Sequence, residues 1–427
     1  MSASLPAAVD VVIVGGGTAG AAAALAFAAR GARTLCVDRR DLRESGARWV
    51  NGVPRRLLAE AGLTLSRAAD LGGPRPFNLI AGTARIRVAD HDVVDVDMRA
   101  LVASLHDRAR AAGAELIGDV HVRGREGDRL LTDRGAVRAR WIVDAGGLSG
   151  PRLLGQQAVA ATDLCAAAQG VYEVRDRAGA AAYYARHEVK PGEVIGILGV
   201  AGGYSVLNVC WEPHHGTVGV LTGSIPALGY PGGKTMRDEF VRAHPWIGPM
   251  QFGGAAAIPL RRAYDRLVDQ HVALLGDAGC QVFSAHGSGI GAGLVAARLL
   301  AETLTGGGDL RDYEIAWHRR WGGLFALYDA ARRMSQSLDA TQLADAVRHG
   351  LIDHAIVKAG LDQELPRLSP AMVLARVRAL RRAPAMVGPL MRTMAQMGAV
   401  RTLGGLYPRD ARAAALWQRI MNRVLVV

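Results

Sequence analysis

The pattern of apolar and polar positions changes character four times along the chain. Val9 to Val14 (VDVVIV) is short, β-branched and followed at once by glycines, which predicts a strand buried on both faces of a parallel sheet. Ala21 to Ala29 continues as an alanine-rich helix, and Arg33 to Val37 predicts a second strand ending in Asp38. Residues 40 to 140 alternate predicted helices (Arg55 to Glu60, Arg99 to Ala112) with predicted strands (Ala84 to Val88, Glu115 to Arg123). Between about 160 and 262 the segments Ala166 to Arg175, Glu193 to Val200, Tyr204 to Trp211 and Thr217 to Thr222 alternate or run β-branched between Gly and Pro, which predicts an antiparallel sheet. His271 to Leu275 reads as another buried strand, an apolar helix follows through Leu304, and from Leu310 onward the pattern is helical.

Composition narrows the class. The chain has 427 residues, half of them apolar and 5% aromatic, enough for one large core or two joined ones, and this excludes a small disulfide-stapled module, a fibre or a disordered tail. The net charge is +12, and lysine is scarce: Lys190, Lys234 and Lys358 leave 48 of the 51 basic residues as arginine. The charge is concentrated. Pro366 to Val427 holds 11 arginines against one acid, Asp410, and so carries +10, together with six of the 11 methionines. Such helices suit an anionic membrane surface, an acidic protein partner or a solvated cap; no motif of a nucleic-acid reader accompanies them. Cys36, Cys165, Cys210 and Cys280 lie far apart without a C-x-x-C pair, which argues against a disulfide framework or a zinc site and fits a reducing cytoplasm. The uncharged run Val11 to Ala29 is cut by glycines and preceded by Asp10, so it is read as strand and helix rather than as a signal or membrane span.

Chemistry enters with Gly15-Gly16-Gly17-Thr18-Ala19-Gly20, a G-x-G-x-x-G between the first strand and the first helix. Gly15 makes the tight turn, Gly17 admits a pyrophosphate close to backbone, and Gly20 lets helix pack on strand, while the helix N-terminus offers unpaired N–H groups to phosphate. Asp38, 18 residues beyond Gly20, is placed to accept hydrogen bonds from a ribose; with Arg39 beside it, an acid there would repel a 2′-phosphate, so FAD or NAD is favoured over NADP.

A second glycine turn decides between them. Gly276-Asp277-Ala278 follows the strand His271 to Leu275, and Ala285-His286-Gly287-Ser288-Gly289-Ile290 opens the next helix. This resembles the second flavin-binding motif of the glutathione-reductase-type flavoproteins, in the branch of p-hydroxybenzoate hydroxylase, geranylgeranyl reductases and flavin halogenases. Ser284 stands where that family has proline. The resemblance spans about residues 8 to 305 and is nearest to the geranylgeranyl reductases. It implies FAD as cofactor, with NAD(P)H as electron donor, Asp277 on the ribityl chain, and Gly276, Gly287, Gly289 and Ile290 around the ring. Trp141 to Ser149 resembles the family's middle motif and brings Asp144 and Gly146 toward the pyrophosphate; the family's helix-start arginine falls nearest Arg99.

The implied fold is α/β: a Rossmann-like FAD-binding domain in two parts (1–160 and 266–310), an inserted antiparallel substrate sheet (161–265) and a C-terminal helical region (311–427), basic from 366. His286 is the candidate catalytic group, able to donate a proton or orient substrate, or else a loop histidine bonded to backbone. Trp49 and Asn51 are candidates to reach the cavity. No lysine precedes Lys190 and no W-x-W-x-I-P is present, which disfavours halogenation. Three functions remain open: reduction of a double bond in an apolar, isoprenoid- or lipid-like small molecule by a cytoplasmic enzyme that could sit peripheral to a membrane; hydroxylation of an aromatic or polyketide; and a flavin-containing protein that docks a partner. No metal is implied.

Overall fold

The computed structural model describes residues 4–367, 369–381 and 386–425. The first region runs β1 (Ala8–Val14), α1 (Thr18–Ala28), β2 (Thr34–Val37), β3 (Val50–Pro54), α2 (Arg55–Glu60), β4 (Phe77–Ala81), β5 (Ala84–Val88), β6 (Val93–Asp97), α3 (Met98–Ala111), β7 (Glu115–Ile117), β8 (Val122–Glu126), β9 (Arg129–Thr132) and β10 (Gly135–Asp144). The second runs β11 (Leu164–Val174), α4 (Arg177–Arg186), β12 (Val194–Leu198), β13 (Ser205–Glu212), β14 (Thr217–Ser224), α5 (Gly233–Ala243) and β15 (Ile247–Pro259). The chain then returns through β16 (Val272–Leu274) and α6 (Ile290–Thr305) and ends in α7 (Leu310–Trp317), α8 (Gly323–Ser337), α9 (Ala340–Arg348), α10 (His354–Asp362), α11 (Pro370–Leu380), α12 (Val387–Gly405) and α13 (Ala411–Leu425).

One sheet has the order β7-β2-β1-β10, all parallel, with β16 parallel to the far end of β10 and β9 and β8 antiparallel beyond its start. The unbroken apolar run of β1 follows from burial on both faces. Val11 and Ile13 enter the core shared with α1, α3 and α6, while Val12 and Val14 enter a second core with Leu130, Val137 and Leu153.

The other large sheet has the order β15-β11-β14-β13-β12-β4-β5, antiparallel except where β12 meets β4. Its buried face holds Tyr172, Val209, Trp211, Val218 and Val220 in a core with Tyr183, Tyr184 and Trp246. Two differences from the sequence pattern stand out. β4 and β5 leave the first region to complete this sheet, so it is not confined to 161–265. β15, 13 residues long and the edge strand, carries Gly253-Gly254-Ala255-Ala256-Ala257, residues with little strand preference of their own; pairing with β11 imposes the conformation. Among the described residues no helix is long and apolar enough to cross a membrane.

Candidate functional site

The crevice begins where β1 ends. Gly15 has φ +100°, and a Cβ there would lie 2.5 Å from the carbonyl oxygen of Ala145; at Gly20 it would lie 1.8 Å from the carbonyl oxygen of Gly15. Both obstacles are backbone, so only glycine fits. Gly17 is the N-cap of α1 and supplies no side chain to the helix end, so the first N–H groups of the Thr18-Ala19-Gly20 turn carry no side-chain cap. The loop is held from behind. The buried His106 ring donates from Nε2 to the Gly16 carbonyl at 2.7 Å, and burial holds its pKa below the usual histidine range, so it is neutral. Asp38 accepts the Gly16 N–H (2.7 Å) and the Arg40 N–H (2.9 Å). Arg39 reaches across to the Ser149 hydroxyl at 2.8 Å and so ties the end of β2 to the loop after β10.

Asp144, at the end of β10, has a different place from the one the sequence suggests. Its side chain is fully buried and accepts the N–H groups of Gly146 (3.1 Å) and Leu153 (3.1 Å), so the carboxylate shapes the loop and does not face the crevice.

The second turn lies against the first. A Cβ on Gly276 (φ +64°) would be 2.9 Å from the Ala19 side chain and one on Gly293 3.3 Å from it, which brings Asp277 beside the start of α1 although more than 250 residues separate them. Gln281, fully buried, locks this turn: its Oε1 accepts the Gly276 N–H at 2.8 Å and its Nε2 donates to the Tyr313 hydroxyl at 2.9 Å. Asp277 is part-buried and accepts no hydrogen bond from a described residue, and desolvation alone pushes its pKa up to about 6. Gly289 keeps the approach to it clear, since a Cβ there would fall 3.0 Å from Asp277 Oδ1. The buried hydroxyls of Ser284 and Ser288 also lack partners.

His286 sits at the apex of this turn, between Ser284 and Ser288. It is exposed, and its Nε2 donates to the Gly360 carbonyl at 3.1 Å. The backbone bond expected of a loop histidine is therefore present, and it fixes the tautomer so that Nδ1 is left as an acceptor. Gly287 (φ +70°) closes the turn through its N–H to the Phe283 carbonyl, and Gly289 and Ile290 start α6, again with no side-chain cap.

The open face of the second sheet completes the site. Across it, Gly254, Gln169, Leu221 and Asn208 form one row of facing residues, half-buried where the opposite face is closed. One end of the row is pinned to the nucleotide half: Gln169 Oε1 accepts the Val50 N–H at 2.7 Å, and the Trp49 ring packs on Gly254. Arg99, at the start of α3, lines a cavity with Ser45 and His106, both of which donate to the Gly16 carbonyl. Its guanidinium makes a two-point pair with Asp97 (2.7 and 3.1 Å) and lies 3.5 Å over the Phe252 ring of β15. The partnerless Ser288 and the pinning Gln169 were not singled out by sequence; neither residue type carries a motif, and only the fold places them.

The FAD binding domain family matches residues 10–61, which contain the first glycine turn and Asp38. No curated protein sequence matches the chain. Solved structures are similar in fold. A geranylgeranyl bacteriochlorophyll reductase-like protein from Thermoplasma acidophilum is 18% identical with a TM-score of 0.71, covering 89% of this chain and 99% of its own. The p-nitrophenol 4-monooxygenase PnpA from Pseudomonas putida is 17% identical with a TM-score of 0.61, covering 85% and 100%. A variant of the halogenase PltM in complex with FAD is 14% identical with a TM-score of 0.59, covering 97% and 95%. The chain thus carries a segment that matches the FAD binding domain family, within a fold that these three proteins share. Its residues fit FAD: a side-chain-free cradle at one end of the crevice, and at the other a part-exposed carboxylate with no hydrogen-bond partner among the described residues.

Proposed function

Taking that fold and that crevice as the premise, we propose that the protein is an FAD-dependent oxidoreductase that passes reducing equivalents from NAD(P)H to a double bond of an apolar, isoprenoid- or lipid-like small molecule. The observation that carries the proposal is the Asp277 carboxylate, part-exposed in the crevice, without a partner among the described residues and brought beside Ala19 of the nucleotide turn. A carboxylate that the fold holds in a crevice with its pKa raised and no hydrogen-bond partner is available to a polar ligand that supplies the missing bonds.

In this reading Gly15, Gly17 and the start of α1 hold the pyrophosphate on backbone N–H groups, Asp38 takes the ribose, and Asp277 takes hydroxyls of the ribityl chain. When bound, the flavin supplies a centre that accepts and returns a hydride. The N-terminus of α6, uncapped at Gly289, directs its positive end toward the ring, where reduced flavin carries negative charge. His286, with Nε2 held by the Gly360 carbonyl, has Nδ1 left to accept a hydrogen bond and orient substrate. The sheet row Gly254, Gln169, Leu221 and Asn208 supplies a wall with apolar positions and two amides. Those amides also suit a polar aromatic substrate, and this keeps hydroxylation as the second reading.

The purified protein should be yellow, and Asp277→Ala should retain markedly less FAD than the parent. Given NADPH and an isoprenoid substrate without oxygen, the product should be saturated. Oxygen incorporated into an aromatic product would select hydroxylation, and a folded, colourless protein that ignores added FAD would remove both readings.

A further inference from the structure

Ten of the 13 exposed large apolar side chains among the described residues lie between Leu365 and Ile420, so apolar exposure and the +10 charge of residues 366–427 coincide. The helices there do not need these side chains for packing. Each already buries another set: Ala379 of α11 in the core with α9, and Val400 of α12 with Trp417, Met421 and Leu425 of α13 in the main core. α12 and α13 run antiparallel, joined by Trp417 Nε1 to the Leu403 carbonyl (2.7 Å) and Gln396 Nε2 to the Val424 carbonyl (3.0 Å). Outward stripes are left over: Val373 and Val377 on α11, Met391 and Met394 on α12, Leu416 and Ile420 on α13, all 42–55% exposed and at helical spacing.

The charge around the stripes is uncompensated. Arg376 pairs with Asp353, but Arg378, Arg392, Arg412, Arg419 and Arg423 make no ion pair with a described residue. An apolar stripe flanked by free guanidinium groups matches an interface with apolar material below and phosphate above. A second copy would bring +10 against +10. A single-stranded nucleic acid would need aromatic platforms, and none of the exposed large apolar residues of this region is aromatic.

We infer that the exposed faces of α12 and α13, with that of α11, are a docking surface for a bilayer containing anionic phospholipid, the aliphatic and methionine side chains entering the headgroup boundary and the arginines meeting lipid phosphates. The inference goes beyond the proposed reaction and does not depend on it.

The test is sedimentation of the full-length, flavin-loaded protein with vesicles of phosphatidylcholine containing about one-third phosphatidylglycerol, against phosphatidylcholine alone, at low salt. Binding is expected with the anionic vesicles only. The pair Arg419→Glu and Arg423→Glu, and separately Met391→Ser with Leu416→Ser, should each lower the partition coefficient about tenfold while flavin content and thermal midpoint stay at parental values. Absence of binding to anionic vesicles, or either variant binding as the parent does, overturns the inference. So does a dimer that both variants dissociate, which would give the surface to a second copy, or an acidic protein that out-competes the vesicles. A colourless protein that still sediments would sink the flavin reading and leave this one standing.

Discussion

Asp144 and Asp277 make an informative pair. Both carboxylates follow buried parallel strands, β10 and β16, that lie side by side, and burial raises the pKa of both. Asp144 spends its lone pairs on two backbone N–H groups and thereby holds the loop that ends β10. Asp277 has no such partners, and its pKa rises to about 6 on burial alone. One acid is therefore part of the scaffold and the other is kept available. Sequence motifs do not separate these roles, because an acid followed by glycines at the end of a strand looks the same in both cases. The difference shows that a partner count says more about function here than burial does.

The comparison can be broken most forcefully by collapsing both turns at once. Gly20→Val places side-chain atoms where a Cβ would already sit 1.8 Å from the Gly15 carbonyl, and it should cost at least about 4 kcal/mol by denaturant unfolding with no flavin retained. A Gly20→Val protein of parental stability would mean that the packing of α1 on the glycine turn has been misread. Next in size is the exchange of roles. Asp144→Asn sets an amide donor against one of two backbone donors and should lose about 3 kcal/mol, whereas Asp277→Asn should leave the flavin-free protein more stable at neutral pH while weakening FAD about tenfold. Equal destabilisation of both variants would erase the distinction.

The pH dependence sharpens the same point. The folded pKa of Asp277, about 6, lies above its ordinary value of 3.8, so the folded state binds the extra proton. Its contribution is fully present below about pH 4 and is lost as the pH rises through about 6, a change of at most about 3 kcal/mol in flavin-free protein. Urea titrations at intervals across that range should show this slope in the parent and not in Asp277→Asn. The smallest effect is at the joint between the two halves. Gln169→Leu removes the acceptor of the Val50 N–H and should cost about 1 kcal/mol, read as a lower thermal midpoint with flavin content intact.

Much of the nucleotide half was legible in the sequence. β1, α1 and β2 form from local signals that agree with one another: a β-branched run, a glycine turn whose obstacles are backbone atoms, and an alanine-rich helix. The strands β11 to β14 were legible for the same reason. β15 was not, because Gly253 to Ala257 has neither alternation nor β-branched residues, and only the waiting edge of β11 makes it a strand. α4 and α5 were missed as insertions within an expected run of strands, and Asp97, which pairs with the Arg99 guanidinium two residues later, carries no motif that singles it out.

Steric rules decided by a few consecutive residues, such as where glycine is compulsory and where a helix begins, could be read from the order of amino acids alone. Which carboxylate remains unpaired, which serine hydroxyl is orphaned, and which sheet edge meets Trp49 depend on groups distant in sequence. Hydrogen-bond partners are assigned only when those groups are packed together, so the scaffold was written locally and the division of labour between Asp144 and Asp277 was settled by the tertiary fold.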